Sequence, residues 1–110
     1  MRTLITALGS AMAVALLATP APASAQAAVE AAMNKAGCLA CHAKDKKMVG
    51  PAYKDVAAKY KGQGDAVAVL SAKIRNGGTG NWGQIPMPPH PADKISDADL
   101  KAAVEWILKL

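Results

Sequence analysis

The chain has 110 residues, enough for one small domain and too few for two of ordinary size. Its 13 Lys+Arg outnumber its 8 Asp+Glu, so it carries a formal +5. With no phenylalanine, two tryptophans and two tyrosines, its own side chains provide little aromatic bulk for a core.

Residues 1–25 read as an export signal that is cleaved. Arg2 gives a positive start, and Leu4 to Ala18 is mostly apolar but too short to span a bilayer. Thr19-Pro20-Ala21-Pro22 interrupts any helix. Ala23-Ser24-Ala25 has the small-x-small form of a cleavage site, which makes Gln26 the first mature residue. The alternative is an uncleaved anchor, which so short and alanine-rich a stretch fits poorly. Cleavage leaves residues 26–110 as a single domain with 12 Lys+Arg and 8 Asp+Glu. Nucleic acid is a poor partner for an exported protein, and the positive charge suits docking onto an acidic protein surface.

The mature domain opens with a helix expected over Ala27 to Ala36. Val29, Ala32, Met33 and Ala36 fall at i, i+3, i+4 and i+7, and Gly37 is the stop. Cys38-Leu39-Ala40-Cys41-His42 follows. Two thiols three positions apart lie on one side of a helical turn, so both can bond the two vinyl groups of one porphyrin. The adjacent imidazole can then reach the iron. C-x-x-C-H is the attachment pattern of a c-type haem, here one per chain.

Other readings of the motif are weaker. A thiol-redox pair wants a βαβ context, and none is visible. A zinc site would have to recruit His90, the only other histidine, with an unusual ligand spacing. A fortuitous run of residues would not coincide with an export signal. Haem of this kind is attached outside the bacterial cytoplasm, so export and motif agree and the periplasm is the expected compartment. A covalent haem would also add apolar bulk, and the haem-free chain is expected to fold poorly.

A second helix is expected from Pro51, with Tyr53, Val56, Ala57 and Tyr60 at helical spacing. Asp65 reads as the N-cap of a third, whose Val67, Leu70 and Ile74 form a stripe ending at Asn76-Gly77-Gly78. Residues 76–83 are rich in glycine and 85–91 in proline. A loop this long is uncommon in a small domain unless it has a function. It lacks the G-K-[S/T] ending of a phosphate loop and follows no strand. Ser96 caps the final helix, with Leu100, Ala103, Val104 and Ile107 inward and Trp106 at the edge. The expected fold is all-α, four to five short helices wrapped around one covalently attached haem.

If His42 fills one face of the iron, the other face decides function. A Met/His pair leaves no site for substrate, whereas an open face suits gas sensing or oxygen chemistry. Met33 lies on the apolar stripe of the first helix and reads as core. Met48 is six residues past His42 and would need almost all of an extended reach of roughly 20 Å to pass the porphyrin edge. Met87 lies 45 residues on, within Ile85-Pro86-Met87-Pro88-Pro89. The flanking prolines fix φ and stiffen the arm that carries this soft thioether. Met87 is the favoured ligand, with His90 or an open face as alternatives. A metal-bound His usually donates its second N–H to an acceptor, and Gly50-Pro51 lies far enough along to fold back.

The mature chain resembles a class I c-type cytochrome of the small bacterial cytochrome c-551/c-552 (cytochrome c8) type. Three segments in order carry the resemblance: Lys35 to Ala43 around the cysteines, Lys47-Met48-Val49-Gly50-Pro51-Ala52-Tyr53-Lys54-Asp55-Val56-Ala57-Ala58-Lys59, and Trp82-Gly83 followed by Ile85 to Pro89. The resemblance implies the cytochrome c fold, thioethers at Cys38 and Cys41, and axial ligands at His42 and Met87. It implies that the Pro51 carbonyl accepts from His42, and that Trp82 with Lys73 or Arg75 binds a haem propionate. It also implies crossed terminal helices meeting near Gly37 and Trp106.

Two positions depart from the family pattern. Met33 stands where an aromatic is frequent, so a looser contact between the terminal helices is expected. His90 stands where Asn is frequent and can donate to the Met sulfur. His90 could do the same through a ring N–H or titrate near neutrality, or it could be an exposed histidine without a role.

The function implied is a soluble periplasmic monohaem electron carrier, not an enzyme. It would be a monomer, with no stable membrane insertion after cleavage. It would pass single electrons between respiratory redox proteins, with nitrite reductase, a terminal oxidase or cytochrome c peroxidase as the family's usual acceptors. Docking is expected at the haem edge around Ala40 and Met48 to Pro51, ringed by Lys44, Lys46, Lys47 and Lys54. The rival is a haem enzyme or ligand sensor in which Met87 does not bind the iron.

Overall fold

A computed structural model describes residues 9–15 and 22–110. The export signal expected over residues 1–25 lies largely outside the described residues. Four helices form the domain: α1 Pro22–Lys35, α2 Tyr53–Tyr60, α3 Ala66–Asn76 and α4 Asp97–Leu108, with a 3₁₀ turn at Cys38–Ala40 between α1 and α2. Among the described residues there is no strand, only one isolated antiparallel pairing of Gly78 with Met87.

The first helix starts five residues before the expected Ala27. Pro22 is its first residue, where the missing N–H costs nothing and the fixed φ is already helical. The alanine-rich run that follows has the highest intrinsic helix propensity. Gly37, at φ 88° in the left-handed region, then turns the chain into the 3₁₀ segment.

No side chain caps α2, and its first turn is satisfied from the motif instead. The N–H groups of Tyr53 and Lys54 donate to the carbonyls of Ala43 and Lys44 at 3.0 and 3.1 Å. This couples the start of α2 to the residues just after His42. All four of the residues expected inward on α2 are buried.

Asp65 precedes α3 as expected, but its carboxylate does not cap the helix and instead accepts from Gln63 Nε2 at 2.9 Å. Ser96 does cap α4, its Oγ accepting from the Asp99 N–H at 3.2 Å.

The last helix organises the core. It packs against α1, α2 and α3, and Leu100, Ala103, Val104 and Ile107 are all buried as the stripe predicts. Each buried Leu, Val or Ile contributes about 1.5–3 kcal/mol relative to exposure. Trp106 meets the Tyr53 ring edge-on at 6.1 Å. Met33, where a looser contact between the terminal helices is expected, is buried at 1% exposure. An unbranched, three-torsion thioether can fill an irregular gap that a rigid ring would have to match. Ile95, buried in the loop before α4, belongs to the same core, although no helical stripe marks it.

Candidate functional site

Within the motif, the Cys41 and His42 N–H groups both donate to the Cys38 carbonyl, at 3.2 and 3.0 Å. In a 3₁₀ turn, side chains at i and i+3 eclipse, which puts the Cys38 and Cys41 thiols on one side. Both thiols are free and half-buried. Burial pushes the Cys38 thiol above its ordinary range. A redox pair activates its nucleophile by the opposite shift, so Cys38 lacks that activation. Burial also raises the neighbouring Tyr53 phenol, so it stays protonated beside the thiols.

The His42 imidazole is held from three directions. Its Nδ1–H donates to the Pro51 carbonyl at 2.8 Å, its ring stacks on Tyr53 at 5.0 Å and 18°, and Gly50 backs against it. A Cβ at Gly50 would lie 2.8 Å from Nδ1 and 2.9 Å from Nε2, so only glycine fits. Gly50 is itself fixed, its N–H donating to the Cys41 carbonyl at 2.8 Å. Donation from Nδ1 selects the tautomer whose Nε2 lone pair can bind a metal. The role of Gly50 was legible only as the residue before Pro51; nothing local in sequence announces a contact with a ring eight positions earlier.

Cys38, Cys41 and His42 line a cleft of about 210 Å³ that is also lined by Met87. Its walls include the core side chains Met33, Leu70 and Val104, so the cleft borders the hydrophobic core. Met87 is half-buried there. Its arm is held by backbone as well as by prolines: Met87 and Gly78 exchange N–H···O bonds of 2.8 and 3.0 Å. Gly77, at φ 69°, lets the arm lie against the end of α3, since a Cβ there would meet the Met87 carbonyl and stand 2.9 Å from the Pro89 nitrogen.

His90 lines the same cleft, is 6% exposed, and has no partner for Nδ1. The reading of His90 as an exposed histidine therefore fails. Met48, by contrast, is 43% exposed and does not line the cleft. Trp82 lines the cleft at 39% exposure, with Lys59 Nζ 4.6 Å above its ring.

The two basic residues at the end of α3 part company. Lys73 lines the cleft and donates to the Tyr60 hydroxyl at 3.1 Å. Arg75 does not line it, and its guanidinium is spent on the carbonyls of His90 and Ile95 and on Asp97. Of the four lysines expected around the haem edge, Lys44, Lys46 and Lys47 are exposed. Lys54 is exposed too but pairs with Asp45 at 2.7 Å, which holds that carboxyl below its ordinary range. Leu39, Met48 and Val49 form exposed apolar surface nearby in sequence.

Two thiols on one side of a turn beside an imidazole oriented by Pro51 fit a covalently held haem, and Met87 and apolar walls line the same cleft. The cytochrome c family model matches residues 26–110. The chain belongs to the cytochrome c family. It is 56% identical over 72 residues to cytochrome c-551 of Azotobacter vinelandii, a match covering 66% of this chain and 84% of that one. Cytochrome c-552 of Nitrosomonas europaea is 53% identical over 77 residues, 70% of this chain and 73% of that one. The crystal structure of wild-type Nitrosomonas europaea cytochrome c552 superposes with a TM-score of 0.68 at 51% identity, covering 74% of this chain and 98% of that chain. A class 1 cytochrome, MtoD of Sideroxydans lithotrophicus, gives 0.66 at 31% identity over 76% of this chain and 94% of that one.

Four helices and no strand among the described residues are thus the architecture of the cytochrome c fold. With two cysteines, this cytochrome has one covalently attached haem c. It groups with the small class I cytochromes c, which are electron carriers.

Proposed function

We propose that this cytochrome is a periplasmic carrier of single electrons between respiratory proteins, with an iron closed on both faces. Cys38 and Cys41 would hold the haem by thioethers, and His42 and Met87 would be its axial ligands. Bound there, the haem supplies one-electron ferrous–ferric chemistry. The residues supply everything else. Pro51, Tyr53 and Gly50 keep His42 in one tautomer and one orientation. The Gly78–Met87 pairing and the prolines hold the thioether in the cleft, and the core side chains exclude water. Lys73 and Trp82 are placed to meet an anionic group at the cleft rim. Bound together, this methionine and histidine would favour the reduced state and leave no position for a substrate.

The observation that carries this reading is that His42, oriented by Pro51 at 2.8 Å, and Met87, anchored to Gly78, line one cleft. Its test is the far-red sulfur-to-iron charge-transfer band of the ferric protein. The band should be present in the wild type, absent in Met87→Ala and retained in His90→Ala. A wild type without the band would remove Met87 from the iron, and retention of the band in Met87→Ala would move the ligand to another methionine.

Periplasmic export is supported by the composition of residues 1–25, and intact mass of the purified protein should place the mature start at Gln26. Among the described residues no helix is long and apolar enough to cross a membrane. Lys44, Lys46 and Lys47 beside exposed Leu39, Met48 and Val49 suit brief docking of a monomer onto an acidic redox partner. Nitrite reductase, a terminal oxidase and cytochrome c peroxidase are the acceptors to test, by stopped-flow oxidation of the reduced protein.

A further inference from the structure

We infer that Arg75 is a positioning residue for the Met87 thioether: it clamps the far end of the methionine arm onto the last turn of α3 and so governs how readily the sulfur leaves the iron. The inference rests on the reading of Met87 as a ligand. Two prolines, Pro88 and Pro89, follow Met87 and have no N–H with which to hold the chain. The arm must therefore be fastened on either side of them. On the near side the fastening is the Gly78–Met87 pair of bonds. On the far side it is His90, which is gripped by both of its backbone groups. Its N–H donates to the Ile74 carbonyl at 3.0 Å, and its carbonyl accepts from Arg75 Nη1 at 3.0 Å.

The same Nη1 donates to the Ile95 carbonyl at 2.7 Å, and Nη2 reaches Asp97 Oδ1 at 2.6 Å. One guanidinium thus joins three places: the end of α3, the end of the methionine arm, and the start of α4. Only a planar fork with several donors can do this; an ammonium on the same stem is a single point. The three bonds are not equal. The Arg75 side chain is 21% exposed and that of Asp97 is 95% exposed, so the ion pair is solvent-screened and weak. The charge-assisted bonds to two backbone carbonyls carry the clamp. Arg75 is outside the cleft lining, so it acts on the site through the backbone it holds and not by contact.

The test compares ferric wild type with Arg75→Gln, Arg75→Lys and Asp97→Asn. Two curves are followed on heating: loss of the far-red band, which reports the sulfur, and loss of far-UV circular dichroism, which reports the helices. Imidazole is then added at a temperature where every variant remains helical. In Arg75→Gln the band should melt well before the helices, and imidazole should displace the sulfur about tenfold faster, as loss of a charge-assisted bond implies. Arg75→Lys should behave like Arg75→Gln, and Asp97→Asn like wild type. Bands and helices that melt together in Arg75→Gln, with an unchanged imidazole rate, would overturn the clamp. So would full recovery in Arg75→Lys. If Arg75→Gln does not fold, the Arg75→Lys and Asp97→Asn pair decides by the same criteria. A wild type without the band would overturn the Met87 reading and this inference with it, whereas a normal band with an unaffected imidazole rate overturns this inference alone.

Discussion

Replacing Gly50 with alanine adds one methyl group where the structure has no room. The new Cβ would stand 2.8 Å from His42 Nδ1 and 2.9 Å from Nε2, against an ordinary carbon contact of about 3.5–4.0 Å. Something must move by more than half an ångström. The ring cannot do so freely, since it is stacked on Tyr53 at 5.0 Å and tied to Pro51 at 2.8 Å. Gly50 itself is tied to Cys41. Its φ is not positive, so the effect is steric and not backbone strain. Overpacking costs about 1–3 kcal/mol, and breaking the His42–Pro51 bond about 1 more. The expected loss is about 2–4 kcal/mol, read from denaturant unfolding of the haem-loaded protein with an unchanged m-value. Gly64→Ala is the control, because nothing lies within 4 Å of a Cβ there and its φ is not positive. It should be neutral or stabilising by under about 1 kcal/mol. Equal stabilities for the two variants would refute the close-contact reasoning.

Three further outcomes are expected. Ser96→Ala removes the α4 cap to Asp99 and should cost about 0.5–2 kcal/mol in the same unfolding measurement; a loss within error would mean the cap contributes nothing. The Cys38→Ala, Cys41→Ala chain, made without haem, should lack a native-like near-UV circular dichroism spectrum, because the haem would supply apolar bulk that a chain with two tryptophans, two tyrosines and no phenylalanine lacks. A wild-type-like spectrum would contradict this. Electron transfer to an acidic partner should slow as salt rises, with the largest change lost in a Lys44→Gln, Lys46→Gln, Lys47→Gln variant; rates independent of salt would remove the lysines from docking.

What could be read from the sequence was what local geometry decides. The Cys38–His42 turn, the four inward residues of α2, the stripe of α4 and its Ser96 cap all depend on neighbours within one or two helical turns. The helix expected from Ala27 follows the expected mature start at Gln26, whereas in the full chain α1 extends back to Pro22, since proline is at home as a first helical residue. Asp65 was in the right place, but its carboxylate had a nearer partner in Gln63. Gly50, Ile95 and the buried face of His90 owe their roles to contacts across the fold, which no periodicity reports. Lys73 and Arg75 illustrate the same limit on one helix. Two positions apart, they point about 200° away from each other. Lys73 therefore reaches the cleft, while Arg75 turns to the methionine arm and α4.

Closure of the iron on both faces is the claim on which the carrier function depends, and carbon monoxide measures it most directly. The reduced protein at neutral pH, mixed with carbon monoxide, should keep its spectrum on the timescale of mixing, while Met87→Ala should bind the gas at once. Rapid, complete binding by the wild type would show an open face and a ligand-binding haem protein instead.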